Sequence, residues 1–151
     1  CFVTGNGNVG GAVGDADVDG GCTTLLSPVF DLSGSQWASV RYWRWWGEGG
    51  NSTDDEFAVD VSSNGGGSWV PLERVPERST AWGEAAFGLT TVITLTSQVV
   101  FRFQACDLGT PGLVEAAVDD FSLETFAPDQ IAHKYNDDRT CSRQAKSDFI
   151  F

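Results

Sequence analysis

Methionine is absent from these 151 residues, histidine occurs once, and the only lysines, Lys134 and Lys146, lie close to the end. Each scarcity excludes something. A single histidine, with no C-x-x-C pair among Cys1, Cys22, Cys106 and Cys141, argues against a zinc site. H-E-x-x-H is missing, and GNGNVG lacks the helix and lysine that complete a phosphate-cradling loop. No run approaches the roughly 20 apolar residues of a membrane-spanning helix. Positive charge is sparse as well: 9 Lys and Arg stand against 21 Asp and Glu, a net charge of −12. Such a surface repels a phosphate backbone, which argues against nucleic acid as a partner.

The acid excess is confined to residues 1–127, where 17 acids face 5 basic residues; residues 128–151 hold 4 of each. An acidic, lysine-free body with acids grouped in loops suits an extracellular calcium-binding domain; the plainer explanation is solubility. The chain starts at Cys1 without a start methionine or a signal peptide, so it is expected to be a processed piece, and secretion is not excluded. An even number of cysteines fits disulfides formed in an oxidising compartment. Of the three possible pairings, Cys1–Cys22 would close the glycine-rich loop and Cys106–Cys141 would pin the tail; free buried thiols are the alternative.

What is abundant is glycine (18), tryptophan (6) and phenylalanine (10), a composition for short strands and tight turns in one domain. Residues 2–4 begin a strand, and Thr23–Leu32 reads as an edge strand or as two strands broken at Pro28. Ala38–Trp46 is the most emphatic strand, with Val40, Tyr42, Arg44 and Trp46 on one face and Arg41, Trp43 and Trp45 on the other. Its aromatic run Tyr42, Trp43, Trp45 and Trp46 leaves the second face sticky, to be covered by the tail, to bind a sugar ring, or to meet a protein. Phe57–Ser63 alternates, NGGGSW turns the chain, and Trp69–Val75 returns. Trp82–Leu89 and Val92–Leu95 are weaker strands, and Val99–Ala105 and Val114–Thr125 are strong ones. About nine short strands without a helix predict an antiparallel β-sandwich.

Two acidic stretches stand out. Asp15, Asp17 and Asp19 alternate in the loop GDADVDGG, and Glu115, Asp119 and Asp120 lie within VEAAVDDFSLET. Unpaired carboxylates in a half-buried strand are costly, so they face water or are gathered by a cation. A calcium ion shared by the loop and the strand is the expectation. The D-x-D-x-D-G spacing is not an EF-hand, because Leu26 occupies the place of the required glutamate and no helices flank the loop.

Four segments together, DVDGGCTTLLSPVFDLSG, DDEFAVDVSSNGGGSW, VFRFQACDLG and VEAAVDDFSLE, resemble a bacterial family. It is the family of jelly-roll modules related to MAM domains and to the sandwich domains of immune-inhibitor-A-like peptidases, found in secreted bacterial proteins. The resemblance covers about residues 1–126. It implies an eight- or nine-stranded jelly roll in which calcium joins the N-terminal loop to the last strand. The implied ligands are Asp17, Asp19, Asp54, Asp55 and Asp120, with Glu115 as an addition. Adjacent aspartates point to opposite faces of a strand, so Asp119 is expected to face water or to close a hydrogen bond.

Residues 127–151 lie outside the resemblance and end in the apolar Phe149-Ile150-Phe151. That patch is expected to dock beside Trp43 and Trp45 of its own domain, or on a neighbouring copy as a connector strand. Catalysis finds little support: His133 has no nucleophile arrangement around it, and Glu48, Glu56, Glu73 and Glu115 have no motif behind them. Two functions remain. One is a non-catalytic, calcium-stabilised module binding a polysaccharide or a cell-surface protein. The other is a subunit that assembles with copies of itself into an extracellular filament or layer through its tail.

Overall fold

The structure is a computed structural model. It describes residues 1–5, 7, 10–12, 14–49, 54–75, 78–79, 81–127 and 130–136, with backbone alone for Glu48 and residues 130–136. Its strands are β1 (Phe2–Val3), β2 (Gly21–Leu26), β3 (Trp37–Gly49), β4 (Glu56–Ser62), β5 (Val70–Val75), β6 (Gly83–Gly88), β7 (Val100–Asp107), β8 (Leu113–Ala127) and β9 (Gln130–Asn136). Eight of them form two four-stranded antiparallel sheets, ordered β1-β8-β3-β6 and β2-β7-β4-β5. This interleaved order is that of a jelly roll. The expected all-β sandwich is therefore the observed fold. β9 is an addition to the eight: it pairs with the C-terminal half of β8, beyond the stretch that β1 covers.

Alternation builds the core. Val40, Tyr42 and Trp46 of β3 and Val114, Ala116 and Val118 of β8 point inward from one sheet. Phe57, Val59 and Val61 of β4 and Phe101, Phe103 and Ala105 of β7 meet them from the other. Ring contacts tie the layers, among them Tyr42 edge-on to Phe103 at 5.0 Å and Phe101 edge-on to Phe121 at 5.4 Å. Edge-to-face geometry places the positive ring edge against the negative face and adds to the gain from burial.

The apolar positions of β8 change phase. Val114, Ala116 and Val118 are even, whereas the equally buried Phe121 and Leu123 are odd. In a regular strand the two sets would face opposite sides of the sheet. An extra residue corrects this: Arg41 pairs with Ser122 and Trp43 with Asp119, three steps on β8 against two on β3. Asp120 takes up the slack at φ 48°, a left-handed conformation that aspartate tolerates better than most residues. Its amide donates to Asp119 Oδ1 at 3.0 Å. The Asp-Asp pair is thus a β-bulge. Asp120→Val, which strains the left-handed backbone, is expected to cost about 1–2 kcal/mol in urea unfolding, whereas Asp120→Gly should cost nothing or stabilise.

Two local expectations need correction, and the alternatives at Pro28 are resolved. Val92–Leu95 is a turn rather than a strand, because the Val92 and Ile93 amides both donate to the Leu89 carbonyl. The ladder of β2 ends at Leu26, before Pro28, and Phe30 resumes contact with a single bridge to Val99. The expected pairings Cys1–Cys22 and Cys106–Cys141 are both replaced by Cys22–Cys106. The reason is register: Cys22 and Cys106 lie directly opposite each other in β2 and β7, with Cα atoms 4.0 Å apart. Cys1 is also disulfide-bonded, and no cysteine is free among the described residues. Cys141 and the docking patch Phe149, Ile150 and Phe151 lie outside the described residues.

Candidate functional site

One end of the sandwich brings together the acidic loops around Asp17, Asp54 and Asp107. The Val18 amide donates to the Val114 carbonyl at 2.9 Å, laying the segment around Asp17 and Asp19 across the start of β8. The buried Asp107, at the end of β7, accepts from the Gly20 amide at 2.9 Å and from the Gly112 amide at 3.2 Å. Asp55, also buried, accepts from the Leu108 amide at 2.7 Å. Asp54 Oδ2 lies against Gly109, where an added Cβ would meet it at 2.9 Å. The rim therefore joins Asp17, Asp19, Asp54 and Asp55 with Asp107, which the sequence reading missed. Asp107 takes two of these backbone amides and Asp55 one, and these bonds fix the loops to one another.

Asp119 and Asp120 do not join that rim. Val114 carries the contact to the loop, and Asp119 is five positions further on, about 17 Å at a strand rise of about 3.4 Å per residue. The expectation of one ion shared between the loop and Asp120 is overturned by this spacing, and the bulge accounts for Asp120 instead. Glu115 lies opposite Gly47, on the outer face of its sheet. Among the described residues, no three His, Cys, Asp or Glu side chains form a group able to hold a metal ion.

The aromatic strand divides between two environments. Tyr42 and Trp46 have no solvent exposure and are core residues, so they leave the expected ligand-facing set. Inward position and sheet parity decide this, since both share the face of Val40. Trp43 is 36% exposed on the outer face, and Trp45 is half-buried beside it. The Trp45 indole lies over the Gly47 backbone: a Cβ at Gly47 would stand 2.3 Å from its ring. Glycine at that place leaves the space that the ring occupies. Glu84, in register with Trp43, makes a 2.9 Å ion pair with Arg41. An indole bordered by a carboxylate and a guanidinium suits a sugar, whose C–H face stacks while its hydroxyls hydrogen-bond.

Two further charged clusters lie in the body. Asp60, 1% exposed, receives Arg74 Nη2 at 2.6 Å and Arg102 Nε at 2.8 Å, and Arg102 stacks over Trp69 at 4.4 Å. Between the sheets, Glu73 of β5 accepts from the Tyr42 hydroxyl at 2.8 Å and from Arg44 Nε at 2.8 Å. Burial pushes the Tyr42 phenol well above its ordinary value, and the Glu73 charge adds to the shift. All of these groups have partners, which gives them a structural role.

An apolar void between the layers, lined by Phe2, Leu25, Phe57, Phe103, Ala116 and Val118 among others, measures about 20 Å³. Ligand pockets measure roughly 300–1,000 Å³, so the void holds no substrate. Among the described residues, no helix is long and apolar enough to cross a membrane. The sequence matches no protein-family model and no curated protein.

Proposed function

We propose that this chain is a non-catalytic extracellular module of a secreted bacterial protein, binding a polysaccharide through the outer face of the β1-β8-β3-β6 sheet. The observation that carries the reading is the Trp45 ring reaching over Gly47 beside the exposed Trp43. The jelly-roll strand order agrees with the resemblance to MAM-like modules, and the Cys22–Cys106 disulfide agrees with an oxidising compartment. Affinity gels and glycan arrays test it. Trp43→Ala is expected to weaken binding about tenfold or more, the loss of one stacked ring. Silence of the native protein across acidic and neutral glycans would sink the reading and favour a cell-surface protein as the partner.

Calcium belongs to this proposal at the loop rim, where Asp17, Asp19, Asp54 and Asp55 bring carboxylates onto loops that already meet. Calcium takes six to eight oxygens and accepts carbonyls from glycine-rich loops. An ion that binds only the folded state stabilises it by mass action. A chelator should therefore lower the melting temperature; a melting temperature indifferent to it removes the ion.

A second reading, a subunit of an extracellular filament, is favoured by β9. Residues Gln130–Asn136 lie as a strand on β8, and the same segment could lie on a neighbour's β8 instead. Electron microscopy of the purified chain separates the two: ordered filaments favour the second reading, and dispersed particles the first.

A further inference from the structure

The outer face that carries Trp43 and Trp45 has a second aromatic station. Trp37, at the opposite end of β3, is 44% exposed and lies in register with Phe126, which is 49% exposed. Between the stations Ser39 of β3, Ala86 and Gly88 of β6 and Ser122 of β8 are small, and Arg41 and Glu124 are the charged residues beside them. The Arg41–Glu84 ion pair lies on the Trp43 side of this stretch, with Glu84 directly opposite Trp43. Trp37 and Trp43 are separated by six positions of one strand, about 20 Å at a rise of about 3.4 Å per residue.

We propose that this face binds one extended, neutral polysaccharide chain lying along β3, stacked at both stations, with the ion pair hydrogen-bonding hydroxyls between them. The inference rests on the reading of Trp43 and Trp45 as a sugar site and adds the length and the charge of the ligand. Length follows from two aromatic stations in line on one face, about 20 Å apart at a rise of about 3.4 Å per residue. One sugar ring fills one station; only a chain reaches both. Neutrality follows from charge: among the described side chains of this face, Arg41 is committed to Glu84 and the Cys1 ammonium to Asp119, so an acidic polymer meets a protein of net charge −12 with its facing cations already paired. An acidic polymer would be repelled, whereas paired carboxylate and guanidinium groups are strong partners for hydroxyls.

Calorimetric titration with neutral β-1,4-linked gluco-, manno- and xylo-oligosaccharides, from disaccharide to hexasaccharide, tests this. For the sugar that binds, affinity should rise about tenfold or more with length, as the second station is engaged. Trp37→Ala should abolish the rise and leave disaccharide binding unchanged, while Trp43→Ala weakens every length. Trp37 is exposed, so its replacement leaves the core intact. Length-independent affinity that Trp43→Ala still weakens would overturn this inference and spare the sugar-site reading. No binding by any length removes both. Tighter binding of polygalacturonate than of the neutral series overturns neutrality, and light scattering in which Trp37→Ala dissociates an assembly assigns the station to a second copy.

Discussion

Glu73→Ala is expected to lower the stability of the sandwich by about 3 kcal/mol, because it strands a buried cation. The Arg44 and Glu73 side chains are 18% and 13% exposed, and the Tyr42 hydroxyl shares the same carboxylate. Removing the acid leaves a guanidinium and a phenol between two sheets without their acceptor. Replacing all three with apolar residues of similar size should cost much less, since a buried ion pair roughly offsets its own desolvation. Denaturant midpoints of the single and triple variants check this, and equal losses in both would overturn it. The network also has an alkaline limb. Because the folded phenol titrates above its ordinary value of 10.0, its stabilisation is fully present below about pH 10 and declines as pH rises beyond it. Tyr42→Phe should flatten that part of the decline; an unchanged slope would assign the decline to other groups.

Removing the Cys22–Cys106 bond should cost still more. The bond closes a chain segment with a sequence separation of 84, and the loop-entropy relation for that length gives about 4.5 kcal/mol. The double variant Cys22→Ala/Cys106→Ala keeps the other crosslink and can be compared in guanidinium. A loss under about 1 kcal/mol would mean that the unfolded chain is already compact. The local consequence is at the rim, because Gly20 and Asp107, which bond to each other, flank the two cysteines. Amide exchange around Gly20 should therefore accelerate first.

Much of the fold was legible in the sequence, because a half-buried antiparallel strand writes a period of two. FAVDVSS and VFRFQA declared their inner faces, and NGGGSW its turn. VITL misled for a physical reason: Ile93 is buried and Val92 and Leu95 pack on the core from a turn, so apolar character was present without extended backbone. VDDF carried a signal that was misread. The acids suggested a metal ion, while the shift of apolar positions from even to odd already required a bulge. The aromatic run was legible by parity, but grouping Tyr42 and Trp46 with Trp43 and Trp45 merged two faces. Disulfide pairing depends on strand register, and Glu73 meets partners 29 and 31 residues away. Neither relation exists until the layers pack. Asp107 follows Cys106 at a turn, and only the folded rim reveals its two amide donors.

The division of one flank of β8 between β1 and β9 has a consequence for self-association in crowded solution. A long bare flank is a template on which a foreign chain can add a ladder of bonds, the first step towards aggregates. Here one stretch is taken by two residues of β1 and another by seven of β9. The kinked bulge falls between them. An intruding chain finds no uninterrupted run on which to zip, so this discontinuity protects the sheet.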